Sequence, residues 1–221
     1  MSTPYEIDVS LSANTVTELK NQGFALYGFK AVGTTIGGAA PLVWFRTLTF
    51  LNTTKVNWTE QYQAYISTSA IITNGEIDAS ANVDVNLGQV ANVDASGNLT
   101  PVGGGTAGAI SINNKSSSHY TCGISQMAGS TANPMCAIPL NGKMMDEVVP
   151  IEKVLLTFAS NTVDTGTVIY KCFSSGLMID LTKSNSRAVA FDIDNGWSWD
   201  GGTWATEIEP NANLVPLLIE N

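Results

Sequence analysis

Short stretches in which apolar and polar residues alternate, or in which β-branched and aromatic residues crowd together, recur along the chain between turn signals. They are Tyr5–Leu11, Phe24–Val32, Leu42–Leu51, Val56–Ser67, Glu76–Leu87, Ala107–Ile112, Lys153–Phe158, Thr167–Phe173, Leu177–Leu181 and Ala188–Ile193. Period-two alternation bounded by glycine and asparagine predicts strands. In Val56–Ser67 the residues Val56, Trp58, Tyr62, Ala64 and Ile66 share one parity, interrupted by Glu60, so one face is expected to pack. Leu42, Val43, Trp44 and Phe45 follow one another without alternation, as in a strand covered on both faces. A helix is predicted at Thr15–Gln22, where Thr15 and Glu18 form a T-x-x-E capping box and Gly23 supplies the stop. Turn signals such as Asn74-Gly75, Ser96-Gly97-Asn98, Asn141-Gly142 and Asn195-Gly196 punctuate the rest. The expected architecture is all-β. Residues 1–221 should form a single antiparallel β-sandwich, or a strongly curved sheet, with one short helix near the N-terminus.

Composition narrows the uses of such a fold. Charged residues make up 13% of the chain, about half of the usual ~25%, and Ser, Thr, Asn and Gly fill the polar surface. The net charge is −9; residues 56–114 contain no Lys or Arg, and six acids but no base follow Arg187. Nucleic acid is excluded as a partner on this ground, because phosphate neutralisation needs bases, and anionic lipid is disfavoured likewise. The opening MSTPYEIDVS lacks the basic start and apolar run of a signal peptide, and no long apolar run reads as a membrane helix, which predicts a cytoplasmic protein or one released by a non-classical route. Cys122, Cys136 and Cys172 lack paired spacing and are expected to be buried thiols, so neither a disulfide framework, a metal nor a cofactor is foreseen.

Candidate chemistry is sparse. Any Ser-His-Asp or Cys-His mechanism must pass through the one histidine, His119, whose neighbour Cys122 lies three residues away and so on the opposite face of a strand. The pairs Asp192/Asp194 and Glu207/Glu209 have the two-residue spacing of carboxylates on one face, without a surrounding glycosidase motif. Asp192-Ile193-Asp194-Asn195-Gly196 departs from a calcium loop and reads as an Asn-Gly turn rather than as a calcium site with Asp200. A non-enzymatic protein is expected. Trp197, Trp199 and Trp204 lie within nine residues of each other, beside Asp194 and Asp200. Flat apolar rings beside hydrogen-bonding groups suit a sugar or a membrane interface, so these five residues are the predicted contact set.

Glu76–Leu87 alternates almost without fault, with Ile77, Ala79, Ala81, Val83, Val85 and Leu87 on one parity. The length and two-faced character are those of a membrane β-strand. Followed by Ala107–Ile112, the stretch 68–118 resembles in pattern the insertion hairpins of aerolysin-type β-pore-forming toxins, without a motif specific to that family. The resemblance implies a membrane-inserting hairpin at about 76–112 and a homo-oligomer, since an open hairpin must close into a barrel before entering lipid. The leading expectation is a surface-recognition protein for a glycan or a neutral membrane surface, serving as a toxin or defence protein. A pore former and a self-assembling structural protein are the alternatives.

Overall fold

A computed structural model describes residues 3–221. Among them the chain folds as an all-β, sandwich-like structure of three sheets with two short helices. The four-stranded sheet runs in the order Gly196–Ser198, Ser186–Asp192, Pro4–Leu11, Thr53–Thr59. The nine-stranded sheet is organised on Met145–Ala159, which pairs along one edge with Ala25–Thr34 and along the other with Ile110–Asn114 and Gly176–Asp180. The six-stranded sheet is centred on Tyr120–Ala128, flanked by Tyr62–Ser67 and by Thr131–Pro134 and Cys136–Leu140. Most pairings are antiparallel; Pro4–Leu11 with Ser186–Asp192, Gln89–Val93 with Ile110–Asn114 and Ala25–Thr34 with Ile219–Glu220 are parallel.

Where expectation and structure differ, tertiary contact explains the difference. The helix spans Ala13–Asn21 and its cap is Ser12, whose hydroxyl accepts from the Thr15 N–H at 3.0 Å. Thr15 lies inside the first turn, buried, donating to Asp192 at 3.1 Å; Gly23 provides the expected stop at φ +71. A second, one-turn helix at Val215–Leu218 was not foreseen. Val56–Ser67 is two strands: the chain breaks at Glu60–Gln61 and crosses from the four-stranded sheet to the six-stranded one, while Val56, Trp58, Tyr62, Ala64 and Ile66 keep one buried face throughout. Leu42–Trp44 is fully buried, yet only Phe45–Thr47 of that region is strand, because Leu42–Trp44 crosses between layers. Thr167–Phe173 holds only isolated bridges.

The main apolar cluster draws on all three sheets, through Ile7 and Val9, through Ile110 and Leu156, and through Ala64 and Ile124. Close approach of chains sets its geometry. At Gly123 a Cβ would fall 2.1 Å from the Cys136 carbonyl oxygen, and at Gly28 it would fall 2.1 Å from the Phe45 ring, so both positions demand the smallest residue.

Candidate functional site

Lys30 lies in the middle of Ala25–Thr34 and is wholly buried. The pairing of that strand with Met145–Ala159 slips between Ile151 and Val154, and this bulge turns Glu152 toward Lys30. The Lys30 Nζ is 2.7 Å from the Glu152 Oε2 and lies 4.4 Å from the Trp58 ring centre and 5.4 Å from that of Trp44. Glu152 also accepts from the Trp58 indole at 3.0 Å and from the Tyr62 hydroxyl at 3.4 Å. Lys30 and Glu152 belong to the nine-stranded sheet, Trp58 to the four-stranded and Tyr62 to the six-stranded sheet. One carboxylate thus ties the three sheets together. Burial pushes the Lys30 ammonium down to about 8 even though Glu152 favours the charge, and burial together with Glu152 pushes the Tyr62 phenol well up.

The four-stranded sheet opens a recess beside this junction. Tyr5 stacks on Trp58 with ring centres 5.5 Å apart and planes 7° from parallel, and its hydroxyl donates to Glu60 at 3.1 Å. Burial, followed by the charge of Glu152, pushes the Tyr5 phenol up to about 12. Tyr5 and Trp58 line a cavity of about 560 Å³ together with Asn57, Thr59, Gln61, Asn185 and Ser186; Glu6 is the one charged residue in its wall. That volume falls within the ~300–1,000 Å³ of small-molecule sites. It adjoins a cleft of about 550 Å³ through shared Asn57 and Gly129, and a recess of about 380 Å³ through shared Gln61 and Met127. The three recesses adjoin one another, and the one walled by Tyr5 is polar with Glu6 as its single charge. Its hydroxyls and amides can give and accept hydrogen bonds; Lys30, fully buried and engaged, presents no amine to it.

The tryptophan-rich turn is arranged differently. Trp197 is 5% exposed, stacked on Phe158 at 5.7 Å and packed against Phe191, with its indole donating to the Ser175 carbonyl. It is a core residue, so its ring is turned away from the surface on which a contact was expected. Trp199 is half-buried against the same core and donates to the Gly202 carbonyl at 2.9 Å, so the face it shares with Trp197 points inward. Trp204 is half-buried beneath the Arg187 guanidinium, 4.6 Å from its ring centre, in a recess of about 190 Å³ with Asp180, Lys183 and Thr203. Asp194 and Asp200 are exposed; the Asp200 carboxylate caps the Gly202 N–H of its own turn. Asp192 accepts from the N–H groups of Asp194 and Asn195 and from Thr15, and these bonds hold its carboxyl below the usual range. Asp192 and Asp200 are committed to turn geometry, and among the described residues no cluster of metal-ligating side chains occurs.

Residues 76–112 do not form one hairpin in this structure. Ile77 is buried in a bridge region, Ala79 is exposed, and Ala81, Val83 and Val85 lie on the strand Ala81–Val85, which pairs with Tyr62–Ser67; Leu87 is 42% exposed in the following turn. Ile110–Asn114 instead pairs with Gln89–Val93 and Met145–Ala159. The expected pairing partner belongs to another sheet because the β-branched run Gln89–Val93 and Leu99–Gly103 forms its own hairpin between them. His119 is exposed, 2.9 Å from the Asn141 side-chain oxygen. Cys122, Cys136 and Cys172 are free and buried; burial pushes Cys136 up to about 12 and raises the other two, leaving neutral thiols.

The junction escaped sequence reasoning, although a signal existed. Lys30 is a single charge inside the apolar run Ala25–Val32, and the charged pair Glu152-Lys153 interrupts the apolar runs Val148–Ile151 and Val154–Leu156. Lone charges within buried strands demand partners. The chain matches no protein-family model, no curated protein and no solved structure, so the functional reading stands on the geometry of the recess walled by Tyr5.

Proposed function

We propose that the protein is a non-enzymatic recognition protein that binds a neutral carbohydrate in the recess walled by Tyr5 and Trp58. The observation that carries this reading is the lining itself: the half-buried Tyr5 ring, backed by the buried Trp58 on which it stacks and surrounded by Asn57, Thr59, Gln61, Asn185 and Ser186, with Glu6 as the only charge. Sugar rings offer apolar faces to aromatic side chains and hydroxyls to amides, so this combination matches their chemistry. The Glu6 carboxylate is engaged by Lys55 at 2.9 Å, which keeps the wall electrically quiet. A glycan is favoured over a bilayer because the accessible ring, Tyr5, lies in the wall of a concavity and does not protrude as a lipid anchor would, while Trp58 behind it is buried.

A glycan array probed with wild type, Tyr5→Ala, Gln61→Ala and Trp204→Ala tests the reading. At least tenfold loss of binding is expected for the first two variants, with Trp204→Ala unchanged. Absence of any glycan binding, or loss confined to Trp204→Ala, would overturn it. Dye release from neutral liposomes, followed by sizing, reports on the pore-forming alternative, which the arrangement supports less because residues 76–112 are divided between two sheets.

A further inference from the structure

The strand Thr53–Thr59 pairs on one side only, with Pro4–Leu11. The bond from the Leu11 N–H to the Asn52 carbonyl sets the alternation of that ladder, and the Glu6 N–H, directed to Asn185 on the opposite side, agrees with it. By this alternation Thr53, Lys55, Asn57 and Thr59 turn their main-chain N–H and C=O groups outward. The Thr59 carbonyl is taken by the Gln126 and Gln61 N–H groups. Lys55 and Asn57 have no main-chain partner on that side among the described residues.

This free edge is one wall of the cleft of about 550 Å³, to which Thr54, Lys55, Val56 and Asn57 contribute in succession. The facing wall is Phe45–Thr47, itself a strand paired on one side only, with Ala25–Thr34. Ala128, Gly129, Thr131 and Asn133, at and beside the turn between Tyr120–Ala128 and Thr131–Pro134, line the cleft as well. With strand edges on two sides and a turn beside them, the cleft suits a single extended chain better than the edge of a second folded sheet. Edge lysines commonly block strand addition. Here the Lys55 ammonium lies back over its own sheet, 2.9 Å from Glu6 and 3.4 Å from Asp8, leaving the edge clear.

Charge defines the occupant further. The cleft lining contains Arg46 and Lys55 and no acid, in a chain with nineteen acids and ten bases. Lys55 is neutralised by Glu6 and Asp8, whereas the Arg46 side chain, 25% exposed at the cleft, reaches only the exposed Asp164 at 3.4 Å. A guanidinium held only by one long, solvent-exposed ion pair keeps donors for a second acceptor, and a carboxylate is its strongest partner. We propose that this cleft receives an extended acidic peptide segment of another protein, which adds as a fifth strand to the four-stranded sheet through the main-chain groups of Lys55 and Asn57 and sets a carboxylate against Arg46.

The test uses the full chain, ¹⁵N-labelled, titrated with a blocked heptapeptide of alternating valine and glutamate. Saturable binding is expected, with at least tenfold slower hydrogen exchange at the Lys55 and Asn57 amides. The same peptide with alternate amides N-methylated, and its lysine-for-glutamate analogue, should each bind at least tenfold more weakly. Arg46→Gln should remove the preference for glutamate over lysine. No saturable binding to millimolar peptide, equal binding of the three peptides, or a self-dimer that protects the same two amides without peptide would each overturn the proposal. So would binding of a sulfated uronate oligosaccharide at Arg46 without amide protection.

Discussion

Two regions of the molecule combine tryptophan with carboxylate, and they use the combination in opposite ways. In the segment from Asp192 to Trp204 the residues are neighbours in sequence, and the carboxylates of Asp192 and Asp200 accept from the backbone of their own turns. At the junction, Lys30, Trp58, Tyr62 and Glu152 come from four strands and three sheets and meet at one buried carboxylate. The dense cluster closes the end of a core; the dispersed one joins the sheets beside the recess walled by Tyr5. Proximity in sequence concentrates residue types, but an environment that excludes water is made by strands that pack on one another.

The largest separation between the regions is expected in stability. Glu152→Ala leaves the buried Lys30 ammonium and the Trp58 indole without their acceptor, and should cost about 3–5 kcal/mol in urea denaturation. Adding Lys30→Met to it should restore part of that loss, because the unpaired charge goes with the lysine; a double variant no better than the single one contradicts the role assigned to the pair. In the other region Trp197→Ala should also cost about 3 kcal/mol or more, as a core truncation, and this loss should not interact with the first.

The pH dependence sharpens the comparison. Lys30 titrates near pH 8 when folded and near 10.5 when unfolded, so between these values the unfolded chain holds the extra proton and stability gains from this group as pH rises. The difference in stability between wild type and Lys30→Met should therefore move in favour of wild type from about pH 8 to about 10.5. Cys136 and Tyr5 act with the opposite sign: their protonated forms are favoured by the fold, and stability is lost as pH rises from their ordinary values, 9.0 and 10.0, toward about 12. That loss is common to wild type and variant and cancels in the difference. The smallest effect belongs to Trp204→Ala, where a half-exposed ring loses the Arg187 cation-π contact; about 1 kcal/mol or less is expected. A loss as large as that of Trp197→Ala would show that Trp204 carries part of the core.

Much of the fold was legible along the chain. Alternation located Pro4–Leu11 and Ser186–Asp192 to within a few residues, because local sequence reports a single core-facing side directly, and the dense apolar run of Ala25–Thr34, buried on both faces, was legible by its β-branched and aromatic content. Tyr120–Ala128 was not legible. Its residues Thr121–Gln126 are buried on both faces, so glycine, serine and threonine there gave no alternation to read. Glu60–Gln61, where one apparent strand becomes two in different sheets, was visible only as an interruption of parity.

For the candidate sites the division follows the same physics. Residue type and spacing were enough to establish a β-rich chain short of charge, with thiols destined for burial and acids destined for turns, since these depend on neighbours within a few positions. Only the packing of three sheets decided that Trp197 would be core, that Lys30 would find Glu152, and that the free edge of Thr53–Thr59 would face a second free edge across a cleft. Those outcomes rest on contacts between residues far apart in the chain, and no local pattern encodes which distant strand arrives.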